Sequence, residues 1–231
     1  MKNYREVQIG QIVTQDFRAA EIFKHAGIDF CCGGNQSLEQ ACKEKSIAIE
    51  QLEIELGKLE NTTVNAMHNF NEWSLDFLCD YIVNTHHKTV LRLLPQLTSY
   101  TEKIAQVHGE HHAELIEIGT LFAQINTELL QHLKNEEELL FPAIKELLKT
   151  NSSEAKKMIV SEITRMKGEH EFAGGAMDKI NVLSDKYGVP ADGCNTYRVT
   201  YKLLEEFEDD LHIHVHLENN ILYPKALSLS I

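Results

Sequence analysis

His214-Val215-His216-Leu217-Glu218-Asn219-Asn220-Ile221-Leu222-Tyr223-Pro224 is the stretch whose reading decides the fold. His132-Leu133-Lys134-Asn135-Glu136-Glu137-Glu138-Leu139-Leu140-Phe141-Pro142 repeats its pattern upstream. Both place Glu four residues after His, then close on Leu, an aromatic residue and Pro. Residues four apart on a helix stack on one face, so each stretch presents an imidazole and a carboxylate as a pair. One such pair is easily met by chance in a Glu-rich chain. Two with matching downstream residues read as an internal duplication.

The duplication extends to two lone histidines. His86 precedes His132, and His170 precedes His214, by a similar interval of roughly one helical hairpin. Apolar residues alternate three and four apart along four segments, the helical period. The first stripe runs Leu75, Leu78, Cys79, Ile82, Val83, Val90, Leu93, Leu94, Leu97, with His86 on it and His87 off it. Pro95 is expected to kink or end that helix. The second stripe runs Leu115, Ile118, Phe122, Ile125, Leu129, His132, Glu136, Leu139, Ala143, Leu147. The third is Ile159, Ile163, Met166, His170, Ala173, Met177, Ile180, and the fourth Tyr197, Tyr201, Leu204, Phe207, Leu211, His214, Glu218, Ile221. The expected fold is therefore all-α, a four-helix bundle over 73–231 with one His facing inward from each helix.

Residues 1–60 read as a small helical domain. Val13 to His25 is expected to be helical and to stop at Gly27. Ser37-Leu38-Glu39-Gln40 has the capping-box pattern, and a third helix is expected from Ile47 to Leu59. Between them lies a Gly-rich turn, Ile28-Asp29-Phe30-Cys31-Cys32-Gly33-Gly34. Residues 61–72, polar and Asn-rich, read as a linker, with His68 solvated.

Composition narrows the function. The 43% hydrophobic share suits a globular core, and no window approaches the ~20 apolar residues of a membrane span. The N-terminus lacks the apolar core of a signal peptide, so a cytoplasmic protein is expected. The net charge of −13 argues against nucleic-acid binding. Five Cys without a CxxC pair point to reduced thiols rather than a disulfide framework.

Burying His and Glu on all four stripes without partners would cost several kcal/mol, since each unpaired group costs about 1–3 and an ionised Glu costs more. A shared cation resolves this. Imidazole with carboxylate suits Fe, Mn or Zn, and Zn favours closed tetrahedral sets, so non-haem iron is expected. Two octahedral ions offer about twelve positions. Four His, two bridging Glu and a shared oxide or hydroxide fill about ten, leaving roughly one open on each ion.

Other polar residues carry open alternatives. Glu128 and Glu169 are each either a hydrogen-bond partner of a ligand or merely solvated. His212 and His216 flank His214 and are expected to point away from its face. His111 and His112 are surface or gating residues, and His25, His87 and His108 are expected to be exposed. Gly174-Gly175 leave room for a ligand or for close helix packing. Cys31-Cys32 is either simple packing or a reactive thiol with a pKa lowered by the following helix.

His-x-x-x-Glu differs from the Glu-x-x-His pattern of ferritin-type bundles and resembles hemerythrin-like di-iron bundles. Ile28 to Gly34 with Ser37 to Cys42, then Asn84-Thr85-His86-His87, His132 to Pro142, Gly168-Glu169-His170-Glu171 and Glu218 to Pro224, resemble in order the iron–sulfur cluster repair di-iron proteins. That resemblance implies a di-iron centre held by His86, His132, Glu136, His170, His214 and Glu218. It implies repair of iron–sulfur clusters after nitric oxide or peroxide damage, with iron–sulfur proteins as partners. Nitric oxide reduction at the two irons, and binding or sensing of oxygen or nitric oxide, are the alternative activities. Monomer and homodimer both remain open.

Overall fold

The computed structural model describes residues 3–60 and 69–230. The chain divides into two compact units: the described residues of Cys79–His214, and those of Met1–Leu78 with Val215–Ile231.

Within Cys79–His214 the long helices are α6 (Lys88–His108), α7 (Glu114–Asn135), α9 (Ser153–Leu183) and the greater part of α10 (Asn195–Leu217). Their apolar stripes form the interior: Leu93, Leu97, Ile118, Phe122, Ile125, Ile163, Met166, Ile180, Leu204 and Phe207 are all buried. Phe122 meets Phe207 edge-on at 5.4 Å, a favourable aromatic geometry that ties α7 to α10. Asn151, in the left-handed conformation at φ 54°, ends α8 (Phe141–Thr150). Ser152 then caps α9 by accepting the Ala155 N–H at 3.3 Å. Pro95 does not end its helix. Pro95 and Leu91 both face solvent, so the hydrogen bond that the ring removes lies on the outer side, where it costs least.

Three wide π turns interrupt the helices. Val83–His87 separates α5 (Leu75–Ile82) from α6, Glu136–Leu140 separates α7 from α8, and Glu218–Leu222 separates α10 from α11 (Tyr223–Ser230). In the last two, Pro142 and Pro224 are the second residues after the turn. A proline lacks an N–H and clashes with the carbonyl four residues back, and a widened turn absorbs both defects. Each extra residue rotates everything after it by about 100°. Leu139, expected inward, is therefore 39% exposed, while Leu140 is fully buried.

The other unit holds α1 (Ile9–Gln15), α2 (Ala19–His25), α3 (Leu38–Lys45), α4 (Ile49–Leu59) and the C-terminal segment. The expected single helix from Val13 to His25 is two, broken at Asp16, whose carboxylate takes the Arg18 N–H at 3.1 Å instead. Gly27, at φ 64°, follows α2 as expected. Ser37 and Gln40 form the capping box at α3. Residues 61–68, with His68, lie outside the described residues. Phe70–Glu72 is one 3₁₀ turn.

The described residues of Val215–Ile231, expected in the bundle domain, group by contacts with the N-terminal helices. Asn220 makes the join. Its side-chain amide donates to the carbonyls of Phe30 and Cys31 at 3.3 and 3.2 Å, and its nitrogen lies 3.2 Å from His216 Nδ1. The His216 ring packs on Phe30 at 5.7 Å, and burial pushes its pKa down to about 4, so it is neutral. Gly10 completes the seat, since a Cβ there would lie 2.3 Å from Asn220 Oδ1. Among the described residues no helix is long and apolar enough to cross a membrane.

Gly10→Ala is accordingly expected to destabilise the protein by about 1–3 kcal/mol, the usual cost of overpacking. Thermal unfolding followed by circular dichroism measures the shift, and an unchanged midpoint contradicts this packing.

Candidate metal centre

Two groups of buried donors meet in the bundle around one shared carboxylate. The ligand atoms of His87, Glu136 and His214 lie within 4.8 Å of one another, and so do those of His132, Glu136 and His170. Glu136 Oε2 is 3.3 Å from Nε2 of both His87 and His132. Nε2 atoms of His132 and His170 approach to 3.2 Å. All five residues are buried, and Glu136 is fully so.

The outer ring nitrogens set the tautomers. His132 Nδ1 donates to Glu169 Oε2 at 2.7 Å, and His87 Nδ1 donates to Glu137 Oε1 at 2.8 Å. A proton held on Nδ1 leaves the Nε2 lone pair facing inward, the arrangement in which carboxylates prepare imidazoles for a metal. Arg165 bonds Glu169 in turn and steadies it.

Charge follows the same plan. Burial alone would raise the Glu136 pKa, but the rings of His132 and His87 outweigh it and hold the carboxyl well below the usual range. At Glu169 burial likewise pushes the pKa up, but His132 and Arg165 outweigh it and hold the carboxyl below its usual value. An ionised carboxylate thus sits at the centre of the bundle among imidazole nitrogens. Such a donor set fits a first-row divalent metal.

The structure does not bring His86 into either group. Its Nδ1 donates to Asp210 at 3.0 Å and its ring stacks on His214 at 5.6 Å. His87, expected to be exposed, is buried in its place. The physical reason is the π turn Val83–His87: the added residue carries His87 to the inner face that a regular helix would have given His86. No proline announces this turn, so helical periodicity could not reveal it. Asp210 and Glu137 were also missed. Asp210 carried a usable signal, since it stands one turn before His214. Glu137 carried none beyond its neighbour Glu136.

Glu218 is fully buried and stands one turn beyond His214 on the same run of helix, at the start of a π turn. Of the two suspected helper carboxylates, Glu169 bonds a ring of the cluster, whereas Glu128 is exposed on the wall of an open groove. His111 and His25 are exposed, His108 and His212 are half-buried, and His112 pairs with Glu114 and Asp192.

The Cys31-Cys32 turn is organised by Asp29. Its carboxylate accepts the N–H groups of Cys31, Cys32 and Gly33 at 2.8, 3.1 and 2.7 Å, and the Cys31 thiol at 3.0 Å. Of the two readings of this pair, the lowered thiol pKa does not hold at Cys31. Contact with Cys32, burial and the Asp29 charge all push it well up, so this thiol stays protonated at neutral pH.

Residues 80–226 match the family described as the hemerythrin HHE cation binding domain, and residues 5–60 match ScdA_N, a domain of unknown function (DUF542). The bundle is thus a hemerythrin-type cation-binding domain. The iron-sulfur cluster repair protein ScdA of Staphylococcus epidermidis is 32% identical over 96% of this chain and 98% of its own. ScdA of Staphylococcus haemolyticus is 34% identical over 94% and 96%. The iron-sulfur cluster repair protein YtfE of Yersinia pestis is 32% identical over 97% and 98%. The chain belongs to this ScdA/YtfE family of iron–sulfur cluster repair proteins.

The depressed carboxylates make the metal-free protein acid-sensitive. Their stabilisation is complete above the ordinary Glu pKa of 4.5 and is lost as pH falls below it through the lowered folded values. Glu169→Gln is expected to flatten the fall of the unfolding midpoint below pH 4.5, read from denaturant unfolding across pH 3–6.

Proposed function

We propose that this protein holds two iron ions in its bundle and repairs iron–sulfur clusters damaged by nitrosative or oxidative stress, by supplying iron. The observation that carries this reading is the Glu136 carboxylate common to two separate sets of imidazoles, the arrangement a bridged pair of metals requires. Family membership supports the reading, since the relatives are named for that repair.

In this assignment His87 and His214 serve one ion, and His132 and His170 the other. Glu136 would be shared by both, and Glu218, one helical turn from His214, would be the second shared carboxylate. His87 takes the place first expected of His86. Bound ferrous iron supplies the metal that a damaged cluster lacks. The chain's own groups do the rest. Glu137 and Glu169 hold the Nδ1 protons of His87 and His132 and keep the metal-facing nitrogens deprotonated. Both carboxylates also reach solvent, at 41% and 24% side-chain exposure, while their imidazoles are buried. Each therefore offers an anionic step between water and the interior, suited to a cation that must enter and leave.

Metal analysis with Mössbauer spectroscopy is expected to find two irons per chain. His87→Ala should lose at least half of them and His86→Ala should retain them, the reverse result restoring His86 as the ligand. Iron-loaded protein is expected to reactivate a nitric oxide-treated [4Fe–4S] enzyme, with Glu136→Ala inactive. If equimolar free ferrous iron succeeds where the loaded protein fails, the repair role is lost. Sustained release of nitrous oxide in a catalytic assay would instead establish nitric oxide reduction.

A further inference from the structure

His86 is prepared as a ligand yet belongs to neither group of the metal centre. Its Nδ1 donates to Asp210 Oδ1 at 3.0 Å. Glu137 and Glu169 hold the outer nitrogens of His87 and His132 by the same device. A ring whose proton is kept on Nδ1 has its Nε2 lone pair free. In His86 that nitrogen makes no hydrogen bond, although the residue is only 3% exposed. A bare acceptor in the interior is costly. A histidine needed only to fill space would be better replaced there by an apolar ring.

The surroundings of the ring point to its use. It lies nearly parallel to the His214 ring, 9° apart in plane and 5.6 Å between centroids, and it adjoins His87 in the chain. It therefore borders the His87–His214 side of the centre. Asp210 stands one turn before His214 on α10. Its Oδ2 is a second buried atom without a hydrogen bond, while the side chain as a whole keeps 18% exposure. An unused imidazole nitrogen and an unused carboxylate oxygen thus lie between a ligand pair and water. The turn that carries His86 supplies a motion. Val83–His87 is a π turn, wider than an α turn by one residue. In its wide form it gives the inner face to His87, and tightened to a regular helix it gives that face to His86.

We propose that His86 is a transit ligand, which takes the ferrous ion over from His87 and passes it toward Asp210 and solvent. The proposal rests on the di-iron reading of the bundle and adds a route by which one ion leaves. In the exchange the bond from iron to His87 Nε2 breaks as the bond to His86 Nε2 forms. No electron moves, and both Nδ1 protons stay where Glu137 and Asp210 hold them, so no further reactant is needed. Imidazole replaces imidazole, and the ion is never left short of a donor inside an apolar bundle.

The test uses the full chain, loaded anaerobically with two equivalents of ferrous iron and desalted. Iron content is measured first, and release to excess ferrozine is then followed by absorbance. His86→Phe keeps a ring against His214 and removes Nε2. It is expected to retain its iron and to release it at least fivefold more slowly than the parent. Asp210→Asn, at a partly exposed side chain, should slow release at least twofold and carries the test if His86→Phe does not fold. The direction is decisive, because replacing a histidine that only packs would loosen the centre and speed release. Release that is unchanged or faster in the folded variants, or loss of iron from His86→Phe, overturns the transit role. A parent chain that takes up no iron removes the di-iron reading and this role with it. Equal iron and equal rates in parent and variants remove the transit role alone.

Discussion

A fully buried, ionised Glu136 is the constraint on which the bundle depends. Removing a carboxylate from water costs several kcal/mol even after relaxation. That penalty is met only by convergent positive or proton-donating groups. In the metal-free protein protonated His87 and His132 supply them at 3.3 Å, held in turn by Glu137 and Glu169, and a bound metal would take the place of the Nε2 protons. Stripping any one member leaves the others as unpaired polar groups in an apolar interior. The same energetics make the centre receptive to cations, because a metal satisfies every donor at once.

The π turns convert this chemistry into geometry. A regular helix repeats its faces on one fixed period, and a proline at position 142 or 224 would break it. Widening the turn accommodates the proline and rotates the following residues. It also places a donor at the edge of each irregular turn: His87 at the end of one, Glu136 and Glu218 at the beginning of the others. Such wide turns are rare and concentrate at functional sites.

The unit that contains the N-terminal helices is joined by polar rather than apolar specificity. Asn220 and His216 read the backbone and ring of the Phe30-Cys31 turn, while Asp29 gathers three consecutive N–H groups from inside the turn. Gly10 and Gly34 permit this approach because a side chain at either would meet Asn220. The Cys31 thiol is held against the Asp29 carboxylate and stays protonated, without the reactivity that exposure beside a helix N-terminus would confer.

The sequence by itself determined the all-α class, the inward placement of His132, Glu136, His170 and His214, and the caps at Ser37 and Gly27. These follow from period, spacing and local hydrogen bonding, which act within a few residues. Tertiary structure alone decided between His86 and His87, turned Leu139 out and Leu140 in, and chose Glu169 over Glu128 as the partner of His132. It also grouped the described residues of Val215–Ile231 with the N-terminal helices and kept the Cys31 thiol protonated. The reason is physical. A π turn changes helical phase without changing composition, and the partner of a buried imidazole is set by which neighbouring helix brings a carboxylate within reach.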